Sequence, residues 1–201
     1  MPINRRDIPE LHYITPIGNV ASILEHGILS HNRIRELGIA ADSVAMDEIQ
    51  ARRAEVEVPG GRRLHDYANV YFDARNAMMY HIRRKQRRAD VCVLRIYPEI
   101  LDLQQTIVTD RNASAHLCRF EPPAIGLELL DPDLVYAHYW NHPDEFERAR
   151  RRAIRCAEVL VPESIAPEYI RGAWVPTVQQ EGQLRTNCPD LDIQLNNDLF
   201  F

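Results

Sequence analysis

The stretch Arg155-Cys156-Ala157-Glu158-Val159-Leu160-Val161-Pro162 decides how this chain is read. Its run from Cys156 to Val161 is short and apolar, with two β-branched positions, the pattern of a buried strand. Glu158 stands in the middle of it. A carboxylate in or beside a core is costly without a partner. Glutamates so placed are either satisfied by a local network or kept for chemistry. Just before the strand the chain is basic, with Arg148, Arg150, Arg151, Arg152 and Arg155.

Working outward, Leu11 to Thr15 reads as an opening strand and Pro16 to Asn19 as a turn. Val20 to His26 has apolar residues at helical spacing, and Gly27 is its expected stop. Ile28 to Asn32 reads as extended, residues 33 to 57 as one polar helix, and Pro59-Gly60-Gly61 as a loop. Asn69 to Phe72, Val91 to Ile96 and Gln105 to Asp110 read as strands. Asn76 to Ile82 reads as a helix, and Phe146 to Arg155 as helix or loop. Tyr169 to Val175 is a last strand, and the tail from Asp190 to Phe201 either docks or frays. Strands and helices mix without regular βαβ alternation, which favours an α+β fold. With no internal repeat and no low-complexity linker, a single domain over residues 1–201 is expected.

The 201 residues, 45% of them hydrophobic, suffice for a proper core. The formal charge is −5, so no global basic field announces nucleic acid. Basic residues are nonetheless clustered. Besides the group before Glu158 there are Arg52, Arg53, Arg62 and Arg63, and then Arg83, Arg84, Lys85, Arg87 and Arg88. Such stripes bind phosphates or simply solvate helix faces. Lys85 is the only lysine; arginine suits bidentate phosphate contacts, and a GC-rich genome gives the same bias. Cys92, Cys118, Cys156 and Cys188 form no CxxC pair, so neither a metal site nor a disulfide framework is expected. No segment reads as a leader or a membrane span, and a cytoplasmic location follows as the default.

Four separated pieces carry a resemblance. They are Leu11 to Asn19 with Ile23 to Leu29, Ile49 to Arg53 with Val58 to Gly61, His65 to Tyr80, and Cys156 to Val161. In this order and spacing, with HDY-x-x-x-YF-x-x-R-x-x-M-x-Y followed far downstream by AE-x-LV, they resemble the DarT family, toxins that ADP-ribosylate DNA using NAD+. The resemblance implies an ADP-ribosyltransferase fold, a split, mainly antiparallel β core that clamps NAD+ in a cleft. It implies that Glu158 is the catalytic glutamate and Arg53 the essential arginine. It implies that Tyr13, Thr15, Gly27, His31, Asn32, Tyr71, Met78 and Tyr80 lie toward NAD+. Arg52, Arg75, Asn112, His116, Arg152 and Arg155 are the candidates for contact with DNA. NAD+ is then a co-substrate, and no metal is implied. The expected partners are single-stranded DNA and a DarG-like macrodomain antitoxin, with the chain itself a monomer that contacts no membrane.

The chemistry of these residues agrees. Breaking the bond from ribose C1′ to nicotinamide passes through an oxocarbenium-like state, as in glycoside hydrolysis. A carboxylate beside that cation stabilises it. Glu158 is therefore expected to project into a groove, kept charged by Arg152 and Arg155. Arg53 offers a guanidinium fork for diphosphate or base. Taken alone, Tyr71, Met78 and Tyr80 read equally as core, His31 and His65 as surface or capping residues, and Arg53 as an exposed helix charge.

Two departures stand out. The family pattern often has histidine two residues before the threonine, where this chain has Tyr13; its histidine is His12. A one-residue shift in a strand turns the side chain to the other face, so Tyr13 is expected toward the site. The loop Thr109-Asp110-Arg111-Asn112 differs from the family's TDGH type, leaving thymine or guanine as the modified base. The residue types also leave RNA or protein open as the acceptor of a same-fold transferase. A catalytically dead binding module is disfavoured by the presence of both Glu158 and Arg53.

Overall fold

The computed structural model describes residues 2–86 and 90–201. Arg87 and Arg88 of the second basic cluster lie outside the described residues. The strands are β1 (Leu11–Pro16), β2 (Ile28–Leu29), β3 (Glu57–Val58), β4 (Arg62–Arg63), β5 (Tyr67–Tyr71), β6 (Val91–Ile96), β7 (Ile107–Thr109), β8 (Phe120–Glu121), β9 (Glu158–Pro162), β10 (Ser164–Ile165), β11 (Ile170–Val175) and β12 (Ile193–Leu195). The helices are α1 (Val20–His26), α2 (His31–Leu37), α3 (Asp47–Glu55), α4 (Ala77–Tyr80), α5 (Pro123–Gly126), α6 (Pro132–Val135), α7 (Glu145–Ile154) and α8 (Val178–Asn187). The fold is α+β, as expected.

Eight strands form the main sheet in the order β12-β11-β6-β1-β5-β9-β7-β8. β11 and β12 run parallel, and the other neighbours run antiparallel. The sheet nearly parts in the middle. β1 pairs with β6 along its whole length, from Leu11 opposite Ile96 to Pro16 opposite Val91. On its other side β1 meets β5 only where His12 faces Tyr71. Beyond that pair the strands diverge, and the gap between them becomes a cleft. The split core that the resemblance implied is thus a single sheet joined at one point.

Buried polar groups hold that point. His12 Nδ1 accepts from the Ala74 amide at 2.9 Å, and His12 Nε2 lies 3.1 Å from Glu10. The Ala74 bond fixes the tautomer with the proton on Nε2. Glu10 also accepts from Arg95 at 2.8 Å and Trp174 at 2.6 Å. Burial opposes the Glu10 charge, but the hydrogen bonds from His12, Arg95 and Trp174 hold its carboxyl down to about 2. His12 therefore serves the junction, and Tyr13 is the neighbour that reaches the cleft.

β9 is flanked by β5 and β7, which explains its apolar run. Val159, Leu160 and Val161 are buried on both faces of the sheet. Glu158 is the first residue of the strand rather than its middle. α1 ends at Gly27 as expected. Two expectations change here. Ile28 to Asn32 is extended only at Ile28–Leu29, because the Ser30 hydroxyl caps α2 by accepting from the Arg33 amide at 3.2 Å. The polar helix over residues 33 to 57 is two helices, because Gly38 takes the left-handed conformation and ends α2. The C-terminal tail docks, with Phe200 fully buried in the core. α8, at residues read as neither helix nor strand, buries only Gln180 and Leu184.

Gly27 has a φ of 84°, and a Cβ there would meet the Ile165 carbonyl oxygen at 2.4 Å. Gly27→Ala is expected to cost about 2 kcal/mol, from backbone strain together with the clash. This corresponds to roughly 4–8 °C in Tm for a chain of this size, read by thermal denaturation. An unchanged Tm would show that the α1–β10 approach is not tight.

Candidate active site

The cleft that opens where β1 leaves β5 has a volume of about 750 Å³, within the range of small-molecule sites. Its walls come from both halves of the sheet and from the segments that cross over it. β1 supplies Tyr13 and Thr15, β5 supplies Asn69 and Tyr71, and α4 supplies Met78. α2 brings His31, α3 brings Gln50, Arg52 and Arg53, the loop after β7 brings Asn112 and Ser114, and α7 brings Arg152.

Glu158 lies directly behind this wall. Its two oxygens accept from a single nitrogen, Arg53 Nη1, both at 3.1 Å. Oε1 also accepts from the Ala113 amide at 2.9 Å. The Glu158 amide donates to Thr109 Oγ1 at 3.0 Å. The side chain is 0% exposed. This corrects the expectation of a carboxylate standing open in the groove. A sealed pair with two donors is less costly than a bare charge. Arg53 and the Asn112-Ala113-Ser114 loop cover the carboxylate, and Arg53, Asn112 and Ser114 also line the cleft.

The cation beside Glu158 is also not the one expected. Arg155 is fully buried elsewhere, donating to the backbone oxygens of Val135 and Arg75 and to Asp73 Oδ2 at 3.0 Å. Arg152 is exposed on the cleft wall and makes no ion pair among the described residues. Arg53, from a different basic cluster, is the partner. Its helix is polar and buries only Arg53. α3 is therefore fastened by polar contacts one helical turn apart: Arg53 to Glu158, and Gln50 to His65 Nε2 at 3.0 Å.

His65 is a cleft residue whose role the sequence left undecided. Its ring stacks on His31 with centroids 4.2 Å apart. Burial, then the nearby His31 and Arg53, push the His65 imidazole below its usual value, so it is neutral near pH 7. Burial raises the Tyr13 phenol. Burial and then the Glu158 charge raise the Tyr71 phenol well above its usual value. Both tyrosines thus act as hydrogen-bond donors and not as bases; Tyr71 donates to the Met78 sulfur at 3.0 Å.

The remaining expected residues divide. Thr15, His31, Arg52, Met78 and Asn112 are brought together in the cleft with Tyr13, Tyr71 and Arg152. Gly27 packs its backbone against β10, and Asn32 donates to Asp66 at 2.6 Å. Tyr80 turns outward and meets Trp140 and Phe201 edge-on. His116 is exposed on the loop after β7. Arg75 is corrected as a DNA contact: it is buried, donates to the Asp198 carbonyl and lies 4.2 Å from the Phe201 ring centroid. Arg155 is corrected likewise. Both were chosen for their charge, and long-range contacts with the fold have used that charge. Gln50 and Asn69 were missed. For Gln50 a signal existed, since it lies three residues before Arg53 and so on the same helical face.

Comparison with known proteins bears on this geometry. Residues 12–200 match the family model described as "ssDNA thymidine ADP-ribosyltransferase, DarT". A DNA ADP-ribosyl transferase–DNA ADP-ribosyl glycohydrolase fusion protein of Thermosipho africanus is 32% identical over 197 residues. That match covers 96% of this chain and 49% of the relative, so the chain spans about half of that relative's length. The Thermosipho africanus DarTG structure in complex with ADP-ribose superposes with a TM-score of 0.83 at 28% identity, covering 96% of this chain and 51% of that one. The Thermus sp. 2.9 DarT in complex with ADP-ribosylated ssDNA gives 0.81 at 23% identity, with all of both chains covered, a likeness of fold.

Removing one partner of a buried pair leaves the other charge uncompensated. Arg53→Ala is expected to lower folding stability by about 3 kcal/mol, measured by urea denaturation. A loss too small to resolve would show that Glu158 does not need Arg53 in the folded protein.

Proposed function

The chain belongs to the DarT family, and we propose on that footing that it transfers ADP-ribose from NAD+ to a thymine base of single-stranded DNA, releasing nicotinamide and the proton that the base loses. The single observation that carries this reading is the placement of Glu158 and Arg53. A carboxylate and a guanidinium meet at the back of a cleft of dinucleotide scale, lined with tyrosine, threonine and histidine. Composition offers no comparable pointer, since the chain is acidic overall.

The proposed chemistry follows from the wall's construction. Arg53 both holds Glu158 and lines the cleft. A diphosphate or an acceptor base offers its guanidinium a second anionic or polar partner. As Arg53 turns toward that partner, the Glu158 oxygens become available to the ribose. The carboxylate then stabilises the positive charge that grows on the sugar as nicotinamide departs. Ala113 keeps Oε1 oriented through its amide. Tyr13 and Tyr71, held protonated, supply donors and ring faces without competing for protons. His31 and His65 add a stacked ring surface, His65 being the neutral member. The acceptor enters from the side of Asn112, Ser114 and Arg152. A single strand is the natural form, because a paired base is hard to reach.

Such a transferase needs restraint in its own cell. The Thermosipho relative joins a transferase and a glycohydrolase in one chain. The proposed partner here is accordingly an ADP-ribose-removing macrodomain protein. Among the described residues no helix is long and apolar enough to cross a membrane, and no group of three His, Cys, Asp or Glu side chains gathers to hold a metal ion.

The test is label transfer from NAD+ to separate pools of single-stranded DNA, duplex DNA, RNA and protein, followed by nucleoside mass spectrometry. Label on thymidine of the single strand is expected. Glu158→Gln keeps the size of the side chain and removes its charge, and is expected to lower transfer at least about 100-fold. Wild-type rates in Glu158→Gln would overturn the mechanism. Label only on RNA or protein would overturn the substrate, and label on guanine would correct the base.

A further inference from the structure

Helix α7 carries an aromatic ring where the core does not use one. Phe146 is 88% exposed. A lone exposed apolar residue is ordinary, but this one continues the wall of the cleft. At 3.6 residues per turn, Phe146, Ala149 and Ala153 follow each other along one face of α7. Ala149 and Ala153 line the cleft, with Arg152 beside them. The two alanines leave a smooth track leading outward, and Phe146 marks its far end, about 10 Å along the axis from Ala153.

The charge of the helix suits a polyanion. α7 holds four arginines against two glutamates. Arg148, Arg150 and Arg151 are tied to Glu145 and Glu147 at 3.8, 3.0 and 2.9 Å. Arg152, at the cleft end of the track, makes no ion pair among the described residues. A strand leaving the cleft along this face meets an unpaired cation first and a bare ring next. A repeating phosphate chain with planar bases fits that order.

We propose that Phe146 is a stacking platform for a nucleobase flanking the modified nucleotide, with Arg152 holding the phosphates between them. The inference rests on the single-stranded DNA reading given above. It extends the acceptor site from the reacting base to a track along α7, and it gives the protein a preference for strands long enough to reach the ring. Because stacking is indifferent to base identity, Phe146 contributes affinity rather than sequence choice.

The test compares wild type, Phe146→Ala and Phe146→Trp in transfer from labelled NAD+ to a long single-stranded oligonucleotide and to a trinucleotide. In the wild type KM is lower for the long strand. Phe146→Ala is expected to raise the long-strand KM about tenfold and so remove most of that advantage, while Phe146→Trp restores it. Melting temperatures of the three proteins agree, since the ring is in solvent. A long-strand KM equal in Phe146→Ala and wild type overturns the inference and leaves the DNA reading standing, as does a Phe146→Trp protein no better than Phe146→Ala. A wild type that labels no single-stranded DNA overturns both.

Discussion

The buried pairing of Arg53 with Glu158 sets the terms for the rest of the molecule. A carboxylate at the head of a central strand is tolerable only with donors around it. The strand does not supply them, and the amide of Glu158 itself is committed to Thr109 Oγ1. They come instead from two segments distant in sequence, α3 and the loop after β7, and both are thereby fixed over the sheet. One interaction thus satisfies a buried charge, anchors an otherwise polar helix and closes the back of a cleft. Only one guanidinium nitrogen is used on the carboxylate, short of the two-pronged geometry in which such pairs are strongest. The arrangement is satisfied without being locked.

The surrounding groups are tuned for a dry site. The phenols of Tyr13 and Tyr71 hold their protons because burial disfavours the phenolate. His65 sheds its proton for the same reason. The wall therefore presents few mobile charges besides arginine, and a positive charge that develops there finds one buried anion. This is the electrostatic condition that cleavage of a glycosyl-nitrogen bond requires.

Much of this was legible in the sequence, and the failures have physical causes. α1 and its stop could be read from apolar spacing and Gly27, and β6 and β9 from mainly apolar runs, each carrying one charged residue. Tyr13 rather than His12 reaching the cleft followed from strand alternation applied to the histidine position of the family pattern. Arg75 and Arg155 failed because charge says nothing about where a side chain ends up: Asp198 lies 123 residues from Arg75 and Val135 lies 20 from Arg155. The sealing of Glu158 failed for a related reason. Its neighbours in sequence, Arg152 and Arg155, were the visible cations, whereas its partner lies 105 residues away. α8 was hard to read because Gly182 interrupts a segment with little apolar periodicity; the Thr177 side chain, which caps the helix by accepting from the Gln180 amide, is the signal the sequence carried.

The junction of β1 and β5 at a single facing pair has a mechanical meaning. A ladder continuous along its length resists shear and makes its two halves move as a plate. A ladder with one rung leaves two plates with a pivot between them, and the opening on one side of the pivot widens with little loss of backbone bonding. Because the pivot is stiffened by Glu10 and His12 on the side away from the opening, side chains lining the gap can be exchanged over evolutionary time without disturbing either plate. The architecture thereby separates what keeps the chain folded from what it grips.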